Sequence, residues 1–396
     1  MKIAIYNLHF AALGGGERRT SALAANLASR HDTTLFVHSP VSIQKIKTTF
    51  GIDLCNVEII PLEHKNHSLE IASCRPDLFI NNSHASRLPN PARFGIYMCM
   101  FPEARLIDLS SYQVITANSR YTAGWIRKKW GYPSEVVYSA CQNMGPPTTK
   151  KNIILHVARF SATAGTAHQK RQDILLETFK RLVDDGLCDW ELHLVGNAGP
   201  TNEDKRLVDD LRHSARGYPV HIRPNISFDA LRDAYRTSSI YWHATGFGAL
   251  APSKQEHFGM SIIEAMSAGV VPIALNSGGP RETINHGING YLWNELSELK
   301  SLTCRVIEDR QTLRGMSAAA VIASKSFTVD EFLIRMDRLI ERLTKLEWTP
   351  PVRRTISINF AQHLARECVF GAARRMRRLL RSSAPRKEMR DHAEYL

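Results

Sequence analysis

Short apolar runs recur along the chain, each followed by glycine or small polar residues and then by a stretch with apolar positions every three or four. The first run, KIAIYNL (2–8), leads through Gly14-Gly15-Gly16 into a stretch with Leu23, Ala24 and Leu27 on one helical face. Strand, glycine turn and helix in that order are the opening of a doubly wound α/β domain. TTLFVHS, VEIIPL, PDLFINNS, FGIY, QVITANS and SEVVY read as further strands. Ser119 or Thr122 is placed to cap the helix after QVITANS, and Gly131 to close it. CQNMGPPTTKK reads as a linker, because two prolines and a glycine interrupt both periodicities.

The pattern then restarts. NIILHVARF (152–160), WELHLVGN, PVHIRPNIS, SIYWHATG, VVPIALNS and GYLW are predicted strands. RQDILLETFKRLVDDG, NEDKRLVDDLRHSARG and FDALRDAYRTS are predicted helices between them. Such alternation calls for a parallel sheet with helices on both faces. The expected organisation is α/β: one doubly wound domain over 1–145, a second over 146–345 closed by two or three helices, and a helical tail over 346–396.

Length and composition fit this division. A chain of 396 residues suits two domains of ordinary size, and 43% hydrophobic with 22% charged residues describes a soluble globular protein. No apolar run approaches the roughly 18 to 20 residues that span a bilayer, and MKIAIYNLHF reads as a strand rather than a signal peptide. Seven scattered cysteines without CxxC or metal-ligand spacing point to free thiols in a reducing cytosol. The net charge of +13 fits nucleic acid, an anionic membrane face or a diphosphate substrate equally well. No helix-turn-helix, zinc-finger or aromatic-rich single-strand signature accompanies it, so nucleic acid is not expected as a partner.

The densest chemistry lies in EHFGMSIIEAMSAGVVPIALNSGGPRE, 256–282. Glu256 and Glu264 stand eight positions apart around a glycine turn that opens into an apolar helix. The unpaired N–H groups of a helix start receive anions, most naturally a phosphate. Gly259, Met260 and Ser261 supply those amides, and Glu264, a turn further on, can reach hydroxyls of an attached sugar. A blander reading stands beside this one: Ser261-x-x-Glu264 is also a capping box, and Glu256 by itself is a solvated loop acid.

Taken together, the Glu-x7-Glu spacing, the SAG-x-x-P-I run and the SGGPRE turn resemble the donor-site signature of the retaining glycosyltransferases of family 4. The resemblance is specific from about Asn152 to Trp293 and weaker from Lys2 to Ala140. It implies the GT-B architecture, two Rossmann-like domains facing a cleft, with 1–145 on the acceptor side and 146–345 holding the nucleotide-sugar donor. It also implies transfer of a hexose from a nucleotide-diphosphate sugar to a hydroxyl with retention, through a front-face mechanism without a protein nucleophile.

At the matching positions the family uses an Arg and a Lys to neutralise the departing diphosphate, here Arg159 and Lys170. With Glu256 these are the expected catalytic groups, and the donor set adds Gly15, Gly16, Gly259, Met260, Ser261 and Glu264. No cofactor or metal is expected, since the cations take the diphosphate charge and no DxD-type motif occurs. Met100 departs from the family, whose members often carry His there within Cys-His-Phe-Pro, so His84 becomes the nearest polar candidate on the acceptor side. Asn118 and Ser119, in an NSxYT pattern, join it. That pattern and the FP segment resemble mannosyltransferases that extend lipid-linked oligosaccharides, which makes GDP-mannose the first donor to consider.

From Arg353 to Arg381 eight arginines stand against Glu367, with Phe360, Leu364, Cys368, Ala372, Met376 and Leu380 every four residues. This basic amphipathic helix suits docking on an anionic membrane surface, and equally suits packing on the first domain. The expected partners are therefore a nucleotide sugar, a glycan or lipid-linked acceptor and an anionic membrane surface. The expected location is cytoplasmic, on the inner face of the membrane. A nucleotide-sugar epimerase and a non-catalytic nucleotide-sugar scaffold are the competing readings.

Overall fold

The computed structural model describes residues 1–39, 41–62, 67–102, 107–161 and 170–345. The basic segment 353–381, Glu103 and positions 162–169 of the expected cationic loop lie outside the described residues.

Two parallel sheets carry the chain. The first holds β1 (Lys2–Asn7), β2 (Asp32–Val37), β3 (Glu58–Pro61), β4 (Leu78–Asn81), β5 (Phe94–Cys99), β6 (Val114–Ala117) and β7 (Glu135–Val136). They lie in the order β3-β2-β1-β4-β5-β6-β7. The second holds β8 (Ile153–Val157), β9 (Glu191–Gly196), β10 (Val220–Pro224), β11 (Ile240–His243), β12 (Val271–Leu275) and β13 (Tyr291–Trp293). Their order is β10-β9-β8-β11-β12-β13. Every predicted strand is present, because its apolar run is bounded by glycine or polar residues that cannot extend it.

Helices alternate with the strands. In the first lobe they are α1 (Gly15–Ala28), α2 (Ile43–Phe50), α3 (His67–Ser73) and α4 (Arg120–Trp130). In the second they are α5 (Gln172–Asp184), α6 (Asn202–Ser214), α7 (Phe228–Thr237), α8 (Met260–Ser267), α9 (Pro280–Thr283), α10 (Leu296–Glu308) and α11 (Arg310–Ser324). Leu192 and Leu194 of β9 face one apolar layer with Phe179, Trp242 and Trp293. Val195 and Tyr241 face the other, with Tyr235 and Ile262. This two-sided burial is what an all-parallel sheet requires.

The closing helix α12 (Val329–Lys345) does not stay with the second sheet, although its sequence position counts it there. Phe332, Met336, Leu339, Ile340 and Leu343 pack into the first lobe's core, against residues that include Leu23 and Leu27. Their spacing of three and four puts them on one stripe, and Leu23 and Leu27 of α1 lie in the same buried core. Ion pairs of Asp337 with Arg30 (2.8 Å) and of Arg342 with Glu135 (2.5 Å) border this contact.

In each sheet the order reverses beside the first strand, between β1 and β4 and between β8 and β11. Ligands of open α/β sheets bind beyond the carboxyl ends of the strands at such a switch point. By topology that places Asn7 and Asn82 at one switch point, and Arg159 and His243 at the other.

Candidate functional site

The helix α8 begins as the glycine turn requires. Gly259, its N-cap, has φ 93°, in the left-handed region that side chains resist. A Cβ there would also come 2.9 Å from Cδ1 of Ile262. No side chain caps this helix, so the capping-box alternative falls. The Ser261 hydroxyl accepts from Tyr241 Oη at 2.7 Å, and Glu264 turns to other partners. The first amides of α8 are left without intrahelical acceptors, as at any helix start.

Glu264 is buried and points to the other lobe. Its Oε1 lies 3.3 Å from Arg18 of α1, and its Oε2 accepts from Tyr235 at 3.2 Å. Burial raises the Glu264 carboxyl above the ordinary range, while Arg18 and Tyr235 pull it back down. Arg18 is held by the rings of Phe50 (5.4 Å) and Phe228 (5.6 Å), one from each lobe. Gly15, the first residue of α1, abuts α8: a Cβ on it would sit 2.9 Å from Met260 Sδ. Gly16 faces Met100, with Sδ at 3.7 Å from an added Cβ. Two helix starts, one per lobe, thus converge where Glu264 meets Arg18.

Glu256 sits in the turn before α8. Its Oε2 receives Lys170 Nζ at 3.0 Å and His243 Nε2 at 3.3 Å. His243 ends β11 fully buried, and burial lowers the pKa of its ring. Its Nδ1 and the buried Thr245 Oγ1 have no partner within the described protein. The SGGP turn braces this loop from below. Gly279 N donates to the Glu256 carbonyl at 2.8 Å, and a Cβ on Gly278 (φ 67°) would stand 2.0 Å from that oxygen. The glycines of 278–279 are therefore required for the close approach of two backbones.

Of the sequence candidates, the structure brings Lys170 to Glu256, Tyr241 to Ser261 and Gly15 to Met260. Arg159 is exposed just beyond β8, its carbonyl held by Gln172 Nε2 at 3.0 Å. On the first lobe Ser119 caps α4, its hydroxyl accepting from Thr122 N at 3.0 Å. Asn118 is buried beside it with Oδ1 unpartnered among the described residues. His84 is half-buried beyond β4.

Sequence reasoning missed Arg18, Tyr235 and Glu282. Glu282 reaches across to the first lobe, where Oε2 accepts from Arg120 N at 2.8 Å and Oε1 from Tyr121 N at 2.6 Å. Tyr121 Oη in turn donates to the Pro252 carbonyl at 3.0 Å. The His257 ring stacks on Phe101 with centroids 4.0 Å apart. The contacts of Arg18, Glu282, Tyr121 and His257 run between lobes, while Tyr235 reaches Glu264 from the neighbouring α7; none is visible to a reading of one segment at a time.

Residues 143–320 match the family model described as glycosyl transferases group 1. The chain is 26% identical over 260 residues to a GDP-Man:Man(3)GlcNAc(2)-PP-Dol alpha-1,2-mannosyltransferase of Dictyostelium discoideum, covering 60% of this chain and 48% of the relative. The Homo sapiens protein of the same name is 25% identical over 275 residues, with 63% and 52% covered. The chain thus spans about half the length of these relatives. Among solved structures, Anabaena HepE in complex with UDP and glucose superposes with a TM-score of 0.66 at 19% identity, over 87% of this chain and 100% of that one. The fold is GT-B. Among the described residues no helix is long and apolar enough to cross a membrane, and none of the six described cysteines is in a disulfide.

Proposed function

We propose that this protein is a retaining glycosyltransferase that moves a hexose from a nucleotide-diphosphate sugar to a hydroxyl of a lipid-linked or cell-envelope glycan. The observation that carries this reading is the convergence of the α8 start, flanked by Glu256 and Glu264, on the α1 start of the other lobe. It falls within the segment that matches the group 1 model.

In this reading the amides of Gly259 to Ser261 receive the diphosphate. Glu264 holds the ribose: a carboxylate has about four acceptor positions, and Arg18 and Tyr235 take two of them. Glu256 takes sugar hydroxyls, helped by the orphan His243 Nδ1 and Thr245 Oγ1. The acceptor oxygen bonds to the anomeric carbon on the face from which the phosphate leaves. The anomeric C–O bond to phosphate breaks, and the acceptor proton passes to the departing phosphate oxygen. Arg159 and Lys170 stabilise the negative charge growing there, which lowers the barrier rather than only tightening binding. The reading assigns that charge to protein cations and helix amides, with no bound metal. His84, Asn118 and Ser119 mark the acceptor side, and the basic tail suits a membrane-borne acceptor on the cytoplasmic face.

The mannosyltransferase relatives carry GDP-Man in their names, which favours GDP-mannose as donor. Thermal-shift measurements with GDP, UDP and their sugars test this, because a ligand bound only by the folded state raises its stability. GDP-mannose is expected to give the largest shift, and the glycoside product to keep the α-configuration by NMR. No response to any nucleotide sugar would end the reading. Release of an epimerised sugar without acceptor would replace it with an epimerase.

A further inference from the structure

The second sheet has an outer edge formed by β9 and the edge strand β10. Strand alternation sends Leu192, Leu194 and Ile222 into one apolar layer, so Glu191, His193 and His221 share the opposite face. His193 and His221 are register partners on the two parallel strands. Their rings stand 4.7 Å apart between centroids. Glu191 Oε2 lies 2.7 Å from His193 Nε2 and 3.5 Å from His221 Nε2. The candidate ligand atoms of the three residues all fall within 4.8 Å of one another.

We propose that Glu191, His193 and His221 form a binding site for a divalent transition-metal ion of the zinc class. Bonds of about 2.0–2.1 Å at a tetrahedral angle put neighbouring ligand atoms about 3.3 Å apart. The two Glu191–His separations, 2.7 and 3.5 Å, bracket that spacing, and the third lies within 4.8 Å, so side-chain rotations bring the three ligands onto one ion. Two imidazoles and one carboxylate suit zinc, nickel or copper and discriminate against magnesium and calcium, which prefer all-oxygen shells. The His193 side chain is 12% exposed, which fixes one ligand, while Glu191 at 47% and His221 at 52% leave an entry path and a position for water.

The ion would tie an edge strand to its neighbour. His193 stands three residues before Gly196, so the site is about 10 Å below the carboxyl end of β9 where Arg159 lies. Its role is to stiffen the second lobe, and it stands independently of the transfer reading.

The test uses the full chain, stripped with EDTA. Zinc is titrated calorimetrically and cobalt by its visible absorption. Wild type is expected to bind one more zinc ion than His221→Gln, or to bind it at least about tenfold more tightly, in line with the loss of a ligand. His193→Ala should behave likewise. Zinc, and not magnesium, should raise Tm in wild type more than in either variant. Since His221 is exposed, His221→Gln is expected to fold as wild type does in EDTA. Equal stoichiometry and affinity in wild type and His221→Gln would overturn the proposal and leave a plain His–Glu ion pair. Absence of zinc binding to wild type would do the same.

Discussion

Glu264 combines properties that conflict in water-poor surroundings. Its carboxylate is buried, which favours the neutral form, yet Arg18 and Tyr235 favour the charged one. Arg18 in turn has its charge screened from solvent by Phe50 and Phe228. A charged acceptor arranged in this way suits hydroxyl recognition, since charged hydrogen bonds contribute about 1.5–3 kcal/mol each. Glu264→Ala is therefore expected to lower kcat/KM by about 10- to 150-fold, at about 1.4 kcal/mol per decade. Steady-state kinetics with the best donor check this, and wild-type efficiency in the variant would remove the ribose assignment. Sequence marked Glu264 through its spacing from Glu256. It did not mark Arg18, whose partner lies 246 positions away.

At the scale of the element, β8 is central to the second sheet and carries a buried histidine. The Nδ1–H of His156 donates to the Trp242 carbonyl at 2.8 Å, and burial pushes its pKa down to about 3. The unfolded chain binds this proton near pH 6.5, so stability is expected to fall as pH drops below 6.5 and to level off near 3. The slope from this group is about 1.4 kcal/mol per pH unit. Between pH 6.5 and 5 wild type should lose about 2 kcal/mol more than His156→Gln, which keeps a donor and has no proton to gain. Urea unfolding at the two pH values measures it. Parallel losses in both proteins would show that His156 is not the titrating group. The strand itself was legible, because NIILHV is an apolar run bounded by polar residues. The histidine's burial was not, since His occupies cores and surfaces alike.

Across the whole molecule, the lobes are joined by a carboxylate capping a helix it does not belong to. Glu282 receives the first two amides of α4, and Ser119 receives the third. A negative charge at a helix start is favoured by the aligned peptide dipoles. Loss of such a cap costs about 0.5–2 kcal/mol. Glu282→Ala is expected to lower stability by about that amount and to speed hydrogen exchange at Arg120 and Tyr121. Unchanged exchange at those two amides would mean that the cap is not holding the lobes. The same carboxylate lies in the SGGPRE turn that supports Glu256, which couples the lobe contact to the site.

The sequence by itself determined the alternation of strands and helices, the division into two sheets and the glycine turn between Glu256 and Glu264. Each is a local matter of side-chain period, turn chemistry and backbone freedom. Tertiary structure decided what those residues touch. Hydrophobic packing carried α12 back to the first lobe, and the approach of the lobes set Arg18 on Glu264 and Glu282 on α4. Parallel register set His221 beside His193. These partners are far apart along the chain, and only folding, by excluding water from the surfaces between them, fixes which charges and rings must meet.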